Sequence, residues 1–236
     1  GSMEKIERII KHQHKSIAAI MIEGSSGTAG CFVYPDGYYK KLETLAKEHN
    51  ILVVVDEVMS GFGRTGEMFA YEHSSGNPDI ITMAKGLTNG YVPMGAAIIS
   101  EQLSKDYEEN PVNNGLTYSG HPLGCAAANA SLDLYDTNLL NQVRENGHTI
   151  RSYLYYLSVN YPQLIKDYRG IGQLYCIEFY DGNVSYVQKA LLDNGIYTFF
   201  RDNNLFIAPP LIISDSELVR TLEKLDEVCL FAYSHL

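Results

Sequence analysis

The sequence is short of basic residues and has no long apolar run. Its 18 Lys and Arg residues are outnumbered by 28 Asp and Glu residues, which gives a formal net charge of -10 over 236 residues. Because a protein that binds nucleic acid needs clustered positive charge for the phosphates, this balance argues against a nucleic-acid partner. No apolar stretch reaches the roughly 18 to 20 residues that cross a bilayer, so we expect no membrane segment. No signal peptide is visible either.

Cysteine is scarce, and the few cysteines present are far apart along the chain. None has C-x-x-C spacing; the positions are Cys31, Cys125, Cys176 and Cys229. Three of the four lie among apolar or small residues, which predicts reduced, buried thiols in a cytoplasmic protein. His12 and His14, in "KHQHK", have no third ligand in view, so we expect no metal site there.

Short apolar runs alternate with helical patterns in the first part of the chain. "DGYYKKLETLAKEHN" (36–50) predicts a helix that Asp36 caps. The apolar runs predict strands, namely "IAAIMIE" (17–23), "ILVVVDEV" (51–58), "DIITMAK" (79–85) and "GAAIIS" (95–100). Continuous Val, Ile and Leu runs separated by a helix are typical of a mainly parallel sheet covered on both faces. The sequence therefore predicts an α/β fold.

The pattern changes near residue 137. Residues 138–160 predict a long amphipathic helix that connects two domains, and the segments after it are short. They are strands near 172–180 and 205–212 and helices at 184–193 and 216–234. We predict one domain over 4–137, and a connecting helix with a smaller C-terminal α+β domain over 138–236. Residues 1–3, "GSM", look like the remnant of a cleaved tag.

Three of the predicted strands end in ionisable side chains, those of Glu23, Asp56 and Lys85. In doubly wound parallel sheets, ligands bind beyond the carboxyl ends of the strands. Each residue taken alone also fits an ordinary loop position, where polar residues are common. A lysine among apolar neighbours such as Ile81 and Met83 can have its pKa lowered by desolvation, and a neutral amine forms a Schiff base with an aldehyde. If the aldehyde is pyridoxal phosphate, a carboxylate such as Asp56 keeps its pyridine nitrogen protonated.

Three separated motifs carry a resemblance to a known family. They are "DEVMSGFGRTG" (56–66), "PDIITMAKGLTNGYVPMGA" (78–96) and "LTYSGHPLGCAAA" (116–128). In order and interval they resemble the class III pyridoxal phosphate-dependent aminotransferases of fold type I, and the resemblance covers essentially the whole chain after residue 3. It implies that Lys85 forms the Schiff base with pyridoxal phosphate, that Asp56 pairs with the pyridinium nitrogen, and that Val58 packs on the ring.

The resemblance also implies substrate-binding residues and a homodimer with shared active sites. Thr117 would bind the cofactor phosphate of the neighbouring subunit, just before a helix start that favours an anion, and Tyr118 would line the site. Arg201 lies where related enzymes keep a carboxylate-binding arginine, although pairing with Asp202 or a solvated loop position is an alternative. Glu23 resembles a glutamate that pairs with an active-site arginine in several members. Here "EGSSG" replaces the frequent Glu-Pro version.

The residue at position 59 bears on the substrate class. Met59 stands where many members have glutamine, and apolar residues there occur in the branch that resembles the ω-amino acid:pyruvate and taurine:pyruvate aminotransferases. "YTFFRDNNLFIAPPL" (197–211) points to the same branch. The resemblance therefore implies transamination between an amine or ω-amino acid and an oxo acid such as pyruvate.

Two alternatives stay open. One is another reaction on the same scaffold, such as that of an amino-group mutase or a decarboxylase. The other is a non-catalytic half-enzyme, because full-length relatives supply a phosphate-binding loop upstream of the first strand found here. On this basis the chain is expected to be the C-terminal portion of an aminotransferase.

Overall fold

The chain divides by its internal contacts into two units, in a computed structural model that describes residues 2–112, 115–180, 182 and 184–234. Unit 1 consists of the chain up to Ser25 together with Tyr34–Phe62 and Glu67–Tyr135. Unit 2 consists of Ser26–Val33, Gly63–Gly66 and the chain from Asp136 onward. Within the described ranges, no helix is both long enough and apolar enough to cross a bilayer.

Unit 1 contains a four-stranded sheet with the order β1-β2-β3-β4. Its strands are β1 (Ala19–Glu23), β2 (Leu52–Asp56), β3 (Ile80–Met83) and β4 (Ala96–Ile99). Its helices are α1 (Met3–Gln13), α2 (Tyr38–Glu48), α3 (Glu101–Glu109) and α4 (Pro122–Leu132). The first three strands run parallel and β4 runs antiparallel to β3. The predicted α/β fold with a mainly parallel sheet is therefore confirmed.

The strand β2 is central to the packing of unit 1. Val53 and Val55 alternate with half-buried residues along it, as expected for side chains that point to opposite faces of a sheet. The two valines belong to one apolar cluster with Ile10 of α1 and with Tyr39 and Ala46 of α2. Burial of this apolar surface fixes the strand, and with it the position of the acidic residues at its end.

The start of α2 differs from the sequence-based expectation. Asp36 is not the N-cap; Gly37 is, with a left-handed φ of 74° and no capping side chain. The amide of Tyr38 donates to Pro35 O at 3.0 Å, which closes a turn just before the helix. Such a turn needs a positive φ that glycine adopts without steric cost, so the helix begins after Gly37.

Unit 2 contains a second four-stranded sheet, with the order β5-β6-β8-β7 and antiparallel pairing throughout. Its strands are β5 (Ile165–Ile171), β6 (Leu174–Phe179), β7 (Phe200–Arg201) and β8 (Asn204–Ile207). Its helices are α5 (Thr137–Asn160), α6 (Val184–Asp193) and α7 (Asp215–Tyr233). The core combines residues of α5, β6 and α7, among them the fully buried Leu157, Ile177 and Cys229.

Two short segments from early in the chain are built into unit 2. Gly30 O accepts hydrogen bonds from Arg169 Nε at 2.7 Å and from the thiol of Cys176 at 3.0 Å. The guanidinium of Arg64 donates to Pro209 O at 2.6 Å, while the amide of Gln173 donates to Arg64 O at 3.0 Å. These bonds attach Ser26–Val33 and Gly63–Gly66 to the second sheet.

Three backbone segments of unit 2 meet without any side chain between them. A Cβ atom on Gly147 of α5 would lie 2.6 Å from Gly172 O, in the turn that joins β5 to β6. A Cβ atom on Gly172 would in turn lie 2.5 Å from the carbonyl carbon of Thr65. Glycine at both positions therefore allows the helix, the turn and the Gly63–Gly66 segment to approach each other closely.

Candidate active site

The carboxyl ends of β1, β2 and β3 lie side by side at one edge of the first sheet. Glu23 is the register partner of Asp56, and Asp56 is the register partner of Thr82. Side chains of register partners on parallel strands point to the same face of the sheet. Lys85 follows Thr82 by three residues and lies just beyond the end of β3. The parallel register thus brings the predicted acid and the predicted lysine to one edge.

Asp56 keeps most of its hydrogen-bonding capacity open. Its Oδ1 accepts the amide of Val58 at 2.9 Å, and among the described residues this is its one partner. The adjacent amide of Glu57 donates to Thr82 O at 2.8 Å, which extends the parallel pairing beyond the strand end. Val58 and Met59 follow with half-buried side chains. The second carboxylate oxygen of Asp56 is therefore able to accept a hydrogen bond from a cationic N–H group.

Lys85 occupies an unusual backbone position. It opens a three-residue 3-10 turn, Lys85–Leu87, with a left-handed φ of 44°. Its side chain is exposed, whereas Ile81 and Met83 are buried, so the described residues do not form the apolar enclosure of Lys85 that the sequence predicted. The reason is that β3 ends at Met83 and the turn carries Lys85 out of the strand. In the part of the chain that the structure describes, the Lys85 amine has no hydrogen bond or ion pair.

Glu57 turns out to be a structural acid, a role that the sequence did not show. Its side chain is completely buried and accepts the Ser60 hydroxyl at 2.6 Å and the amide of Tyr71 at 2.9 Å. Burial raises the pKa of Glu57, while these hydrogen bonds and one from the amide of Ala70 oppose the shift. The carboxyl group thereby ties the end of β2 to the 3-10 turn Ala70–Ser74.

Gly24→Ala is expected to destabilise unit 1 by about 2–4 kcal/mol. A Cβ atom at Gly24 would lie 2.2 Å from Glu57 Oε1, and the carboxyl group cannot retreat without losing its donors. Urea unfolding followed by circular dichroism measures this change. In a Glu57→Ala background the same substitution should cost less than about 1 kcal/mol, since the obstructing group is gone. An equal cost in both backgrounds would contradict the packing argument.

The other predicted site residues are placed as follows. Glu23 is half-buried, and its backbone carbonyl accepts the Tyr39 hydroxyl. Thr117 and Tyr118 are exposed, and no hydrogen bond, ion pair or ring contact between described residues joins them to Asp56 or Lys85.

The predicted phosphate-binding loop leads directly into α4. His121 is the N-cap of this helix, and its Nδ1 accepts the amide of Leu123 at 3.2 Å. Pro122 occupies the first helical position, where its missing N–H leaves no donor unsatisfied. The helix start therefore follows Thr117 by a few residues, as the sequence predicted.

Arg201 lies on the short edge strand β7 of unit 2. Its side chain is 61% exposed, and Nε is 3.9 Å from Asp202 Oδ2, at the limit of an ion pair. An exposed pair of this geometry contributes little to stability. The guanidinium is thus available to bind another carboxylate.

These residues fit the pyridoxal phosphate that the resemblance implies. Asp56 has an oxygen to offer a pyridinium N–H, and the amine of Lys85 is accessible to an aldehyde. Thr82 gives a further indication, because its buried Oγ1 has no hydrogen-bond partner among the described residues. A buried hydroxyl without a partner is uncommon in a folded protein and is satisfied when a ligand or water binds beside it. None of the described His, Cys, Asp or Glu residues group in threes to hold a metal ion.

Solved transaminases share this fold over almost the whole chain. A taurine:2-oxoglutarate aminotransferase from Bifidobacterium kashiwanohense, solved in complex with pyridoxal phosphate and glutamate, matches with a TM-score of 0.92 and 32% identity. The match covers 99% of this chain and 56% of that one. An (S)-enantioselective ω-transaminase from Thermomicrobium roseum matches with a TM-score of 0.90 and 29% identity, over 97% of this chain and 54% of that one.

The chain belongs to the class III aminotransferase family, whose sequence model matches residues 2–229. A putrescine aminotransferase from Pectobacterium atrosepticum is 37% identical over 217 residues, which cover 90% of this chain and 46% of that protein. The resemblance read from the three motifs is confirmed at the level of the family. The chain spans about half the length of these relatives.

Proposed function

We propose that this chain serves in the pyridoxal phosphate-dependent transamination of an amine or ω-amino acid with an oxo acid such as pyruvate. The observation that carries the proposal is the pairing of Asp56 with Thr82, which sets the acid and Lys85 at one sheet edge. Among the described residues, neither the second oxygen of Asp56 nor the Lys85 amine is engaged by a competing group. Both are therefore ready to bind a cofactor.

The residues divide the work by their chemistry. When bound, pyridoxal phosphate withdraws electrons from the substrate carbon that loses its proton. Asp56 would hold the ring nitrogen in its protonated form, and Val58 would contact the ring face. The amine of Lys85 would bind the cofactor aldehyde, and once displaced by the substrate amine it would act as general base and then general acid.

The proposed substrate class draws on relatives and on three residues. The names of the putrescine aminotransferase and the taurine:2-oxoglutarate aminotransferase favour an amine donor and an oxo-acid acceptor. The exposed Arg201 suits the acceptor carboxylate, which a guanidinium binds through two parallel hydrogen bonds. Glu23 and Tyr118 would complete the substrate site, with Glu23 pairing with an active-site arginine.

The remaining parts of the proposal concern assembly. We propose a cytoplasmic homodimer with shared sites, in which Thr117 binds the cofactor phosphate of the neighbouring subunit. Residues 4–137 would form part of the large, cofactor-binding domain, and residues 138–236 the connecting helix and the small domain. Exposed Thr117 and the α4 start that follows it are compatible with an anion bound from outside the subunit.

Borohydride trapping tests the cofactor assignment. We expect pyridoxal phosphate to be reduced onto Lys85 at about one equivalent, as located by peptide mapping, because the site directs the aldehyde to this amine. Lys40, an exposed lysine of the same unit, is the internal control for nonselective labelling. Asp56→Asn should weaken the selectivity for Lys85, since its neutral amide no longer stabilises a pyridinium. Labelling of Lys85 that is no greater than labelling of Lys40 would refute the assignment.

A further inference from the structure

The turn that carries Lys85 is held by a residue outside the predicted site, Tyr135. This residue lies three positions after the end of α4. Its hydroxyl donates to Gly86 O at 2.7 Å and also lies 2.9 Å from Asn89 Oδ1. Gly86 directly follows Lys85, so the hydroxyl fixes the peptide group next to the lysine.

The backbone of the turn is strained, and its own hydrogen bonds include two long ones, from Thr88 to Lys85 O at 3.3 Å and from Asn89 to Gly86 O at 3.4 Å. Lys85 and Asn89 both have left-handed backbones, with φ values of 44° and 49°. Asparagine adopts this conformation fairly readily, but lysine keeps it only where the surrounding structure holds it, so the strain lies at Lys85. The amide of Leu87 donates to Ala84 O at 2.9 Å, and the 2.7 Å bond from the Tyr135 hydroxyl to Gly86 O is shorter than the bond that the same oxygen accepts from Asn89.

A second contact holds Gly86 from another side. A Cβ atom on Gly86 would lie 2.6 Å from Phe62 Cβ, so the glycine backbone packs directly on that phenylalanine. The ring of Phe62 is 5.6 Å from the ring of Tyr135, and the half-buried Tyr135 packs against the buried cluster that contains Phe62 and Leu87. Phe62 and Tyr135 together restrict the backbone at Gly86, and this backbone sets the direction of the Lys85 side chain.

We propose that Tyr135 is a positioning residue for Lys85. Its hydroxyl fixes the Gly86 carbonyl, and through it the direction in which the Lys85 amine leaves the Lys85–Leu87 turn. The inference rests on the proposed function of Lys85, and it assigns no contact between Tyr135 and the substrate or cofactor. The geometry of the turn then depends on a side chain 50 positions further along the chain.

Tyr135→Phe tests this role, because it removes the hydroxyl and keeps the ring. In the cofactor-free protein, amide hydrogen exchange over 86–89 should become about three- to tenfold faster, as expected for the loss of one hydrogen bond. Borohydride trapping of pyridoxal phosphate at Lys85 should slow by a similar factor, while trapping at Lys40 stays unchanged. In the holoenzyme, kcat should fall with an unchanged substrate KM, because Tyr135 is assigned no contact with the substrate.

The matched control is Tyr161→Phe in unit 2, which removes a hydroxyl that donates to Asp226 Oδ1 at 2.6 Å. This variant should leave exchange over 86–89 and trapping at Lys85 unchanged, whatever its effect on the unfolding midpoint. Unchanged exchange and trapping in Tyr135→Phe would overturn the inference. If the wild-type protein itself is not trapped at Lys85, the proposed function fails, and the exchange comparison still decides whether Tyr135 holds the turn.

Discussion

Lys85→Ala is expected to abolish transamination in the holoenzyme, with kcat lower by at least about a thousandfold. The substitution removes both the amine that would bind the cofactor aldehyde and the general acid–base group. It leaves the fold intact, because the Lys85 side chain is exposed and has no partner among the described residues. The measurement is the initial rate with several amino donors and pyruvate, at saturating pyridoxal phosphate.

The comparison variant is Lys40→Ala, which removes an exposed lysine on α2. It should retain full turnover, so a general effect of lost positive charge is separated from the specific role of Lys85. Circular dichroism of Lys85→Ala should match that of the wild type. Substantial turnover by Lys85→Ala would refute the proposed mechanism, although membership of the family would stand.

Gly147→Ala is expected to destabilise unit 2 by about 2–4 kcal/mol, opposite in sign to the usual effect of this substitution in a helix. Alanine normally stabilises a helix interior by about 1 kcal/mol relative to glycine. Here the added Cβ would lie 2.6 Å from Gly172 O and 2.9 Å from Gly172 Cα. Backbone atoms cannot move aside as a flexible side chain can, so α5 must shift away from the turn. Urea and thermal unfolding measure the effect.

Gly124→Ala provides the control, because Gly124 is also helical and its added Cβ would meet the Sδ of Met94 at 3.0 Å. A methionine side chain has three rotatable bonds and can rearrange, so we expect a change smaller than about 1 kcal/mol. A neutral or stabilising Gly147→Ala would show that the close backbone approach does not constrain α5.

The position of the candidate site could be predicted from the sequence because it depends on a general rule. Apolar runs that end in Asp56 and near Lys85 predict strands, and parallel strands put their carboxyl ends at one edge. The exposure of Lys85 could not be predicted in this way. It depends on the left-handed turn after β3, and the apolar residues before Lys85 predict a continuing strand rather than such a turn.

The contrasting roles of Asp56 and Glu57 show a second feature that could not be predicted from the sequence. Both are acids in adjacent positions, yet Asp56 is partly accessible and Glu57 is completely buried. Alternation along a strand predicts that neighbours point to opposite faces. The buried carboxylate of Glu57 accepts hydrogen bonds from the Ser60 hydroxyl and from the amide of Tyr71. These donors come into position only when the loop after β2 folds back.

The strand β5 was not predicted, for a related reason. Its sequence carries charges at Lys166, Asp167 and Arg169, which obscure any apolar alternation. In the fold, Arg169 bonds Asp167 at 2.7 Å and Glu178 of the neighbouring strand at 2.8 Å. The ion pair with Glu178 that stabilises this charged strand comes from another strand, so the local sequence pattern of β5 does not reveal it.

The early segments built into unit 2 constrain how this chain can be divided or made. Gly30 and Arg169 are 139 residues apart, and Arg64 and Gln173 are 109 apart, yet each pair is hydrogen-bonded. Contacts this distant in sequence slow folding, because a long loop must close before they form. A polypeptide that starts at Asp136 would keep its three strand pairs and its three helices. It would lose the contact of the Thr65 backbone with Gly172 and the hydrogen bond from Arg169 to Gly30 O. A fragment or a circular permutant of unit 2 therefore has to include Ser26–Val33 and Gly63–Gly66, joined to the chain from Asp136 onward, because both segments are part of its packing.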